Sequence, residues 1–144
     1  MLRPPEEAED IAADYRHTGL SLGRHPLALL RAQLRGWGIK PARTVQRCRP
    51  GSLVYAAGLV ITRQRPSSGG GVTFVTIEDE SGYLNLIVWR QLAESQRAVL
   101  LKAALLGVEG RVQREGKVLH VIAERLHDHS RLLGRFTVRS RDFR

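Results

Sequence analysis

The chain has 144 residues, 42% of them hydrophobic, and carries 23 Lys and Arg against 14 Asp and Glu, a formal net charge of +9. That length accommodates one hydrophobic core with modest appendages, and that charge favours phosphate-rich or acidic partners, nucleic acid first among them. A single cysteine, Cys48, excludes an internal disulfide framework and a multi-cysteine zinc site and fits a reducing, cytoplasmic setting, while no apolar run approaches the roughly 20 residues of a membrane helix.

In chain order, residues 1–37 read as a helical segment. Pro4-Pro5-Glu6-Glu7 starts a first helix, with proline tolerated in the first turn and carboxylates complementing the positive end of the dipole. Ala8, Ile11, Ala12 and Tyr15 give it one apolar face, and Gly19 ends it. Pro26 opens a second helix whose Leu27, Leu30 and Leu34 share a face, closed by Gly36 and Gly38. His25 has no Ser, Cys or carboxylate placed beside it by sequence, so it belongs to the helix start and is not assigned as a catalytic base. Residues 38–52, with Pro41, Pro50, Arg43, Arg47 and Arg49, read as an extended basic linker.

The stretch 53–126 organises the chain. Its first strand runs from Leu53 to Arg65, with Gly58 at the middle where a small barrel needs a bulge or bend. The loop Pro66-Ser-Ser-Gly-Gly-Gly71 follows; it lacks the Lys-Ser/Thr of a phosphate-binding P-loop, which argues against nucleotide hydrolysis. Val72 to Ile77 and Tyr83 to Val88 form a hairpin rich in β-branched and aromatic residues. Glu78-Asp79-Glu80 lies in its turn. Adjacent carboxylates at a hairpin tip diverge, so Asp79 is expected to bond turn amides in an Asx arrangement ahead of Gly82 rather than to hold a metal. Trp89 to Lys102 is one helix, with Trp89, Leu92, Ala93, Val99 and Leu100 on a stripe that Gln96 interrupts, placed to plug the barrel. Leu105 to Arg114 and Val118 to Leu126 are the last two strands, joined at Glu115-Gly116.

Five strands with a helix between the third and fourth, preceded by two short helices, define a mainly β chain with some α: a five-stranded Greek-key barrel of the OB type. Such barrels commonly bind single-stranded nucleic acid across strands two and three and the neighbouring loops. Bases stack on exposed aromatics while Arg and Lys follow the phosphates, so the candidate residues are Arg63, Arg65, Phe74, Tyr83, Arg111, Arg114 and Lys117. Bulges shift the period-two alternation, so the faces stay open at this point: Phe74 and Trp89 read more readily as core, and Tyr83 is balanced between core and contact surface. No catalytic residue, cofactor or metal is assigned.

Charge does not single out the strands as the contact surface. Residues 51–126 hold nine basic against seven acidic side chains, whereas residues 1–50 hold nine against five and residues 127–144 five against two. In the C-terminal tail, His127-Asp-His129 has a spacing that metal ligands use, but no third ligand follows, so it reads as a solvated loop; the rest of the tail is basic and sparsely apolar.

Several motifs together carry a resemblance. Asp14-Tyr-Arg-His-Thr-Gly-Leu-Ser-Leu-Gly-Arg-His-Pro-Leu27, Ala57-Gly-Leu-Val60, Arg63-Gln-Arg-Pro66, Thr76-Ile-Glu-Asp-Glu-Ser-Gly82, Val108-Glu-Gly-Arg-Val-Gln-Arg114 and Arg139-Ser-Arg-Asp-Phe143 are similar to the C-terminal region of the error-prone DnaE-type DNA polymerases, relatives of the bacterial DNA polymerase III alpha subunit. The resemblance implies a large cytoplasmic polymerase of mutagenic translesion synthesis, working with a Y-family-like accessory protein and the sliding clamp. Its phosphoryl-transfer carboxylates would belong to an upstream palm domain absent from this chain. What it implies for these residues is a terminal OB module that guides single-stranded DNA template, the alternative being a non-catalytic protein-interaction or structural module of the polymerase. Family members commonly carry a lysine in the loop that here reads Ser67-Ser-Gly-Gly-Gly71, one phosphate contact fewer for this chain.

Overall fold

The computed structural model describes residues 25–66 and 70–134. The expected first helix, the centre of the Gly-rich loop and the end of the basic tail lie outside those residues. Within them run α1 (Pro26–Gly36), α2 (Ala42–Val45), β1 (Leu53–Gln64), β2 (Thr73–Asp79), β3 (Gly82–Val88), α3 (Arg90–Ser95), α4 (Arg97–Lys102), β4 (Leu105–Glu115), β5 (Val118–Asp128) and a 3-10 helix at Ser130–Leu133.

The strands close into a barrel in the order β1-β2-β3-β5-β4, antiparallel except where β3 meets β5. Closure depends on β1 serving two neighbours. Its first half pairs with β4 from Leu53 to Leu59, and its second half pairs with β2 from Leu59 to Gln64. Gly58 stands at this hand-over, where an added Cβ would lie 2.8 Å from the Glu78 carbonyl oxygen, so the glycine is required by close backbone approach. The register shift itself falls three residues later than the sequence suggests, between Val60 and Thr62, and turns Ile61 outward.

Alternation then sorts the side chains. Val75, Ile77, Leu84, Leu86 and Val88 from the hairpin meet Val108, Val112 and Val121 in the barrel interior. The expected single helix is two, broken at Gln96. The Gln96 side-chain amide donates to the Leu126 carbonyl and accepts from the Leu126 N–H, both at 2.8 Å. It thereby supplies β5 with a strand-like pair of bonds that a continuous helix would turn away. Leu92, Ala93, Val99 and Leu100 still pack against the barrel core.

The 38–52 stretch is more than an extended linker. Lys40 bridges to Ala56, α2 buries Ala42 and Val45, and Ile39 joins a second apolar cluster with Leu27, Leu30 and Leu34 of α1. Ala57, Leu105, Leu132 and Leu133 complete that cluster, so α1 and the 3-10 helix clamp one flank of β1 and β4. The tail residues 127–133 are likewise structured: β5 extends to Asp128, and Leu132 and Leu133 are buried because they cover this flank.

His25 has the helix-start role expected of it, its Nδ1 accepting from the Leu27 N–H at 3.0 Å. Burial lowers its pKa below the ordinary imidazole value of 6.5 despite the nearby Glu78 carboxylate, and burial and then the neighbouring His127 lower that of His129. A lowered folded pKa means that the unfolded chain takes up protons first on acidification. Stability is therefore full above pH 6.5 and declines as pH falls through it. Urea midpoints measured between pH 7.5 and 5.5 are expected to drop, and His25→Asn, which keeps a cap without titrating, should flatten part of the slope.

Candidate nucleic-acid interface

The side chains of β1, β2 and β3 on the outer side of the barrel align in three rows set by register: Gln64, Phe74 and Ile87; Thr62, Thr76 and Asn85; and Leu59, Glu78 and Tyr83, of which Leu59 packs against the α1 cluster and Tyr83 is exposed. The parallel pairing of β3 with β5 continues two of them, placing His120 beside Asn85 and Ile122 beside Ile87. Phe74 and Tyr83 are exposed, 37% and 56%, and so is Trp89 just beyond β3. This corrects the core reading of Phe74 and Trp89. Thr73, Val75 and Ile77 face inward, and Phe74, on the other phase of the pleat, faces out. Thr76 donates its hydroxyl to the Asn85 carboxamide oxygen at 3.1 Å, so the centre of this face is polar and uncharged, with Phe74 and Ile87 on one side and Tyr83 on the other.

The turn that presents Tyr83 is held from below. Asp79 Oδ1 accepts from the Ser81 N–H and hydroxyl, both at 2.7 Å, and from the Gly82 N–H at 3.1 Å, the Asx arrangement expected from sequence. Its other oxygen accepts from the Ala42 N–H at 2.7 Å and from Arg31 at 3.2 Å. Arg31, buried in α1, also forks onto Glu80 at 2.7 and 2.9 Å. Burial pushes the Glu80 carboxyl up, but the Arg31 bonds outweigh it and hold the pKa below the usual carboxylate value. Asp79 and Glu80 are thus occupied in fixing the hairpin, while Glu78 lies 3.8 Å from His25 Nε2.

The seven candidate residues divide. Arg65 and Lys117 are exposed and form no ion pair among the described residues. Register places Arg65 next to Gln64 at the Phe74 end of the face, and Lys117 just before Val118, toward the Tyr83 end. Arg63 does not point to this face. It aligns with inward-facing Val75, and its guanidinium donates to the Leu100 and Ala103 carbonyls at 2.7 and 2.6 Å, closing the C-terminus of α4. Arg114 donates to the Gln46 carbonyl at 2.8 Å, and Arg111 reaches both Glu124 and the Gly51 carbonyl. Those three arginines are committed within the fold. Sequence reasoning missed Thr76, Asn85 and Ile87, which share the aromatic face, and Arg97, which lines a cavity of about 220 Å3 with Arg65 and Gln64. A two-residue turn at 80–81, read strictly, would have paired Glu78 with Tyr83 and revealed the three facing residues.

His127 and His129 are not a solvated loop. His127 Nε2 lies 2.7 Å from Glu109 Oε2, and the His129 ring is half-buried, 5.5 Å from the Trp37 ring.

Barrel closure, strand order and the aromatic face define an OB-fold domain of the nucleic-acid-binding class. Residues 45–128 match the family model described as OB-fold nucleic acid binding domain, and the chain belongs to that family. Over 99% of its length it is 55% identical to an error-prone DNA polymerase of Alkalilimnicola ehrlichii and 52% identical to one of Methylococcus capsulatus. The similarity to the C-terminal region of these DnaE-type polymerases therefore extends along the chain, which spans 14% of the length of either relative. Among solved structures, asparaginyl-tRNA synthetase from Pyrococcus horikoshii, complexed with asparaginyl-adenylate, superposes with a TM-score of 0.54 at 23% identity, over 63% of this chain and 22% of that one. That likeness shows a shared fold.

Proposed function

We propose that the outer face of β1, β2 and β3 binds single-stranded DNA and guides template as the C-terminal part of a cytoplasmic error-prone translesion polymerase. The remainder of that polymerase, a Y-family-like accessory protein and the sliding clamp would be its partners. The observation that carries the reading is the face itself: Phe74 and Tyr83 stand on either side of the polar Thr76–Asn85 pair, with the exposed cations Arg65 and Lys117 toward its two ends. Aromatic platforms accept any base, and cations at the margins follow the backbone.

Fluorescence anisotropy against a short labelled single strand, DNA and RNA in parallel at two salt concentrations, tests it. Phe74→Ala and Tyr83→Ala should each weaken binding by about 1–3 kcal/mol. The pair Arg65→Gln and Lys117→Gln should flatten the salt dependence by roughly 0.7 log units per lost contact. Arg63 is not used in this test, because its loss would open the helix end instead. The protein-interaction reading draws on the three exposed arginines whose guanidinium groups bond within the domain, and a folded chain that binds neither strand at low salt would overturn the reading proposed here in its favour.

A further inference from the structure

The opposite flank of the barrel carries a second cavity, of about 210 Å3, rimmed by Trp37, Tyr55, His127 and His129 around the Glu109 carboxylate. We propose that it takes one amine-bearing nucleobase of a strand that continues beyond the β1, β2 and β3 face. The inference rests on the proposed function in taking nucleic acid as the ligand, and it adds a separate subsite.

The cavity is constructed by the fold. Tyr55 of β1 lies directly opposite Glu109 of β4, and Gly107 lies opposite His127 of β5. Gly107 forms the floor: a Cβ there would sit 2.7 Å from the His129 ring, so only glycine lets that imidazole lie across β4. His127 and His129 stack at 5.9 Å, and Trp37, at the end of α1, closes the side. Trp37 and Tyr55 are 46% and 39% exposed, an aromatic surface that the described residues leave partly uncovered.

Size and charge select the ligand. Drug-sized sites run from roughly 300 to 1,000 Å3, so this one fits a single planar group. Glu109, whose Oε2 is already paired with His127 at 2.7 Å, has lone pairs left for the exocyclic amine of cytosine, adenine or guanine, whereas the one N–H of thymine lies between two carbonyl oxygens that a carboxylate repels. A lysine or arginine from a protein would also suit an aromatic and acidic pocket. The chain's +9 charge disfavours a basic partner, and two cations start from backbone next to the pocket: Arg125 is paired with Glu109 across the β4–β5 ladder, and Lys40 bonds the Tyr55 carbonyl through its N–H.

The two tryptophans are Trp37 and Trp89, so Trp89→Phe leaves Trp37 as the sole indole reporter in the full chain. Titration of that protein with a strand of about 20 nucleotides of deoxycytidine should quench Trp37 saturably, and a thymidine strand should quench it several-fold less. Adding Tyr55→Phe or Glu109→Gln should reduce the cytidine preference and leave binding of a six-nucleotide strand to the Phe74 face unchanged. Anisotropy read on the same samples separates the failures. Binding without any Trp37 response, or with equal responses to both strands, overturns the subsite while the main face stands. No binding of either strand by a folded chain overturns both. Quenching by a lysine-rich peptide in preference to DNA would replace the base with a protein ligand and overturn the proposal.

Discussion

Replacing Asp79 with alanine is expected to lower the unfolding free energy by about 3 kcal/mol, because it leaves several buried or half-buried donors without their acceptor. Asp79 is only 4% exposed and accepts five hydrogen bonds: from the Ser81 N–H and hydroxyl, the Gly82 and Ala42 N–H groups, and Arg31. Arg31 would keep its fork onto Glu80, so the guanidinium itself is not stranded. The loss falls on the backbone amides. Unsatisfied buried donors cost about 1–3 kcal/mol each, and solvent entering the hairpin tip would recover part of that. Asp79→Asn should be nearly as damaging, because its NH2 group would face donors on Arg31 or on the Ser81 side. Urea unfolding monitored by far-UV circular dichroism measures the change, and a loss below about 1 kcal/mol would contradict the network. Tyr83 follows the turn directly, so in any folded fraction single-strand affinity should fall together with stability.

That network also shows what a sequence can and cannot reveal here. The Leu27, Leu30 and Leu34 stripe, the five strands and the Asx turn are readable because each depends on spacing within a few residues. The second partner of Asp79 is not. Ala42 and Arg31 lie 37 and 48 residues away, and nothing local marks Arg31 as different from the exposed Arg35 one turn later. The same holds for Gln96, read as a polar break in an apolar stripe, whose bonds to Leu126 span 30 residues. The candidate interface divides along this line. Phe74 and Tyr83 can be placed once the hairpin register is known, because alternation then orders every side chain. The arginines cannot be sorted in this way. Arg63 and Arg65 are two residues apart on one exposed strand end, yet Arg63 closes a helix 37 to 40 residues distant and Arg65 has no ion-pair partner among the described residues. Long flexible side chains seek carbonyls by position in space, and periodicity carries no record of that.

The second large effect is expected at Gly110. Between Glu109 and Gly110 the pairing partners jump from Arg125 to Ala123, so Glu124 is an extra residue that bends β5 and helps the sheet to close. The bend brings the β5 backbone onto Gly110: a Cβ there would lie 2.3 Å from the Ile122 carbonyl oxygen and 2.9 Å from its carbon. Backbone cannot yield as a side-chain tip can. Gly110→Ala should therefore cost about 3 kcal/mol, the upper part of the usual overpacking range. Gly58→Ala, 2.8 Å from the Glu78 carbonyl oxygen, should cost less but still more than about 1 kcal/mol. Gly36 supplies the opposite sign. It lies in α1 with nothing within 4 Å of the added carbon, so alanine there should stabilise by about 0.4–1 kcal/mol. Urea midpoints of the three variants should rank Gly36→Ala above the parent and Gly110→Ala lowest. A neutral Gly110→Ala would mean that β4 and β5 do not approach this closely, and the barrel would then have to close by a different register at the bulge.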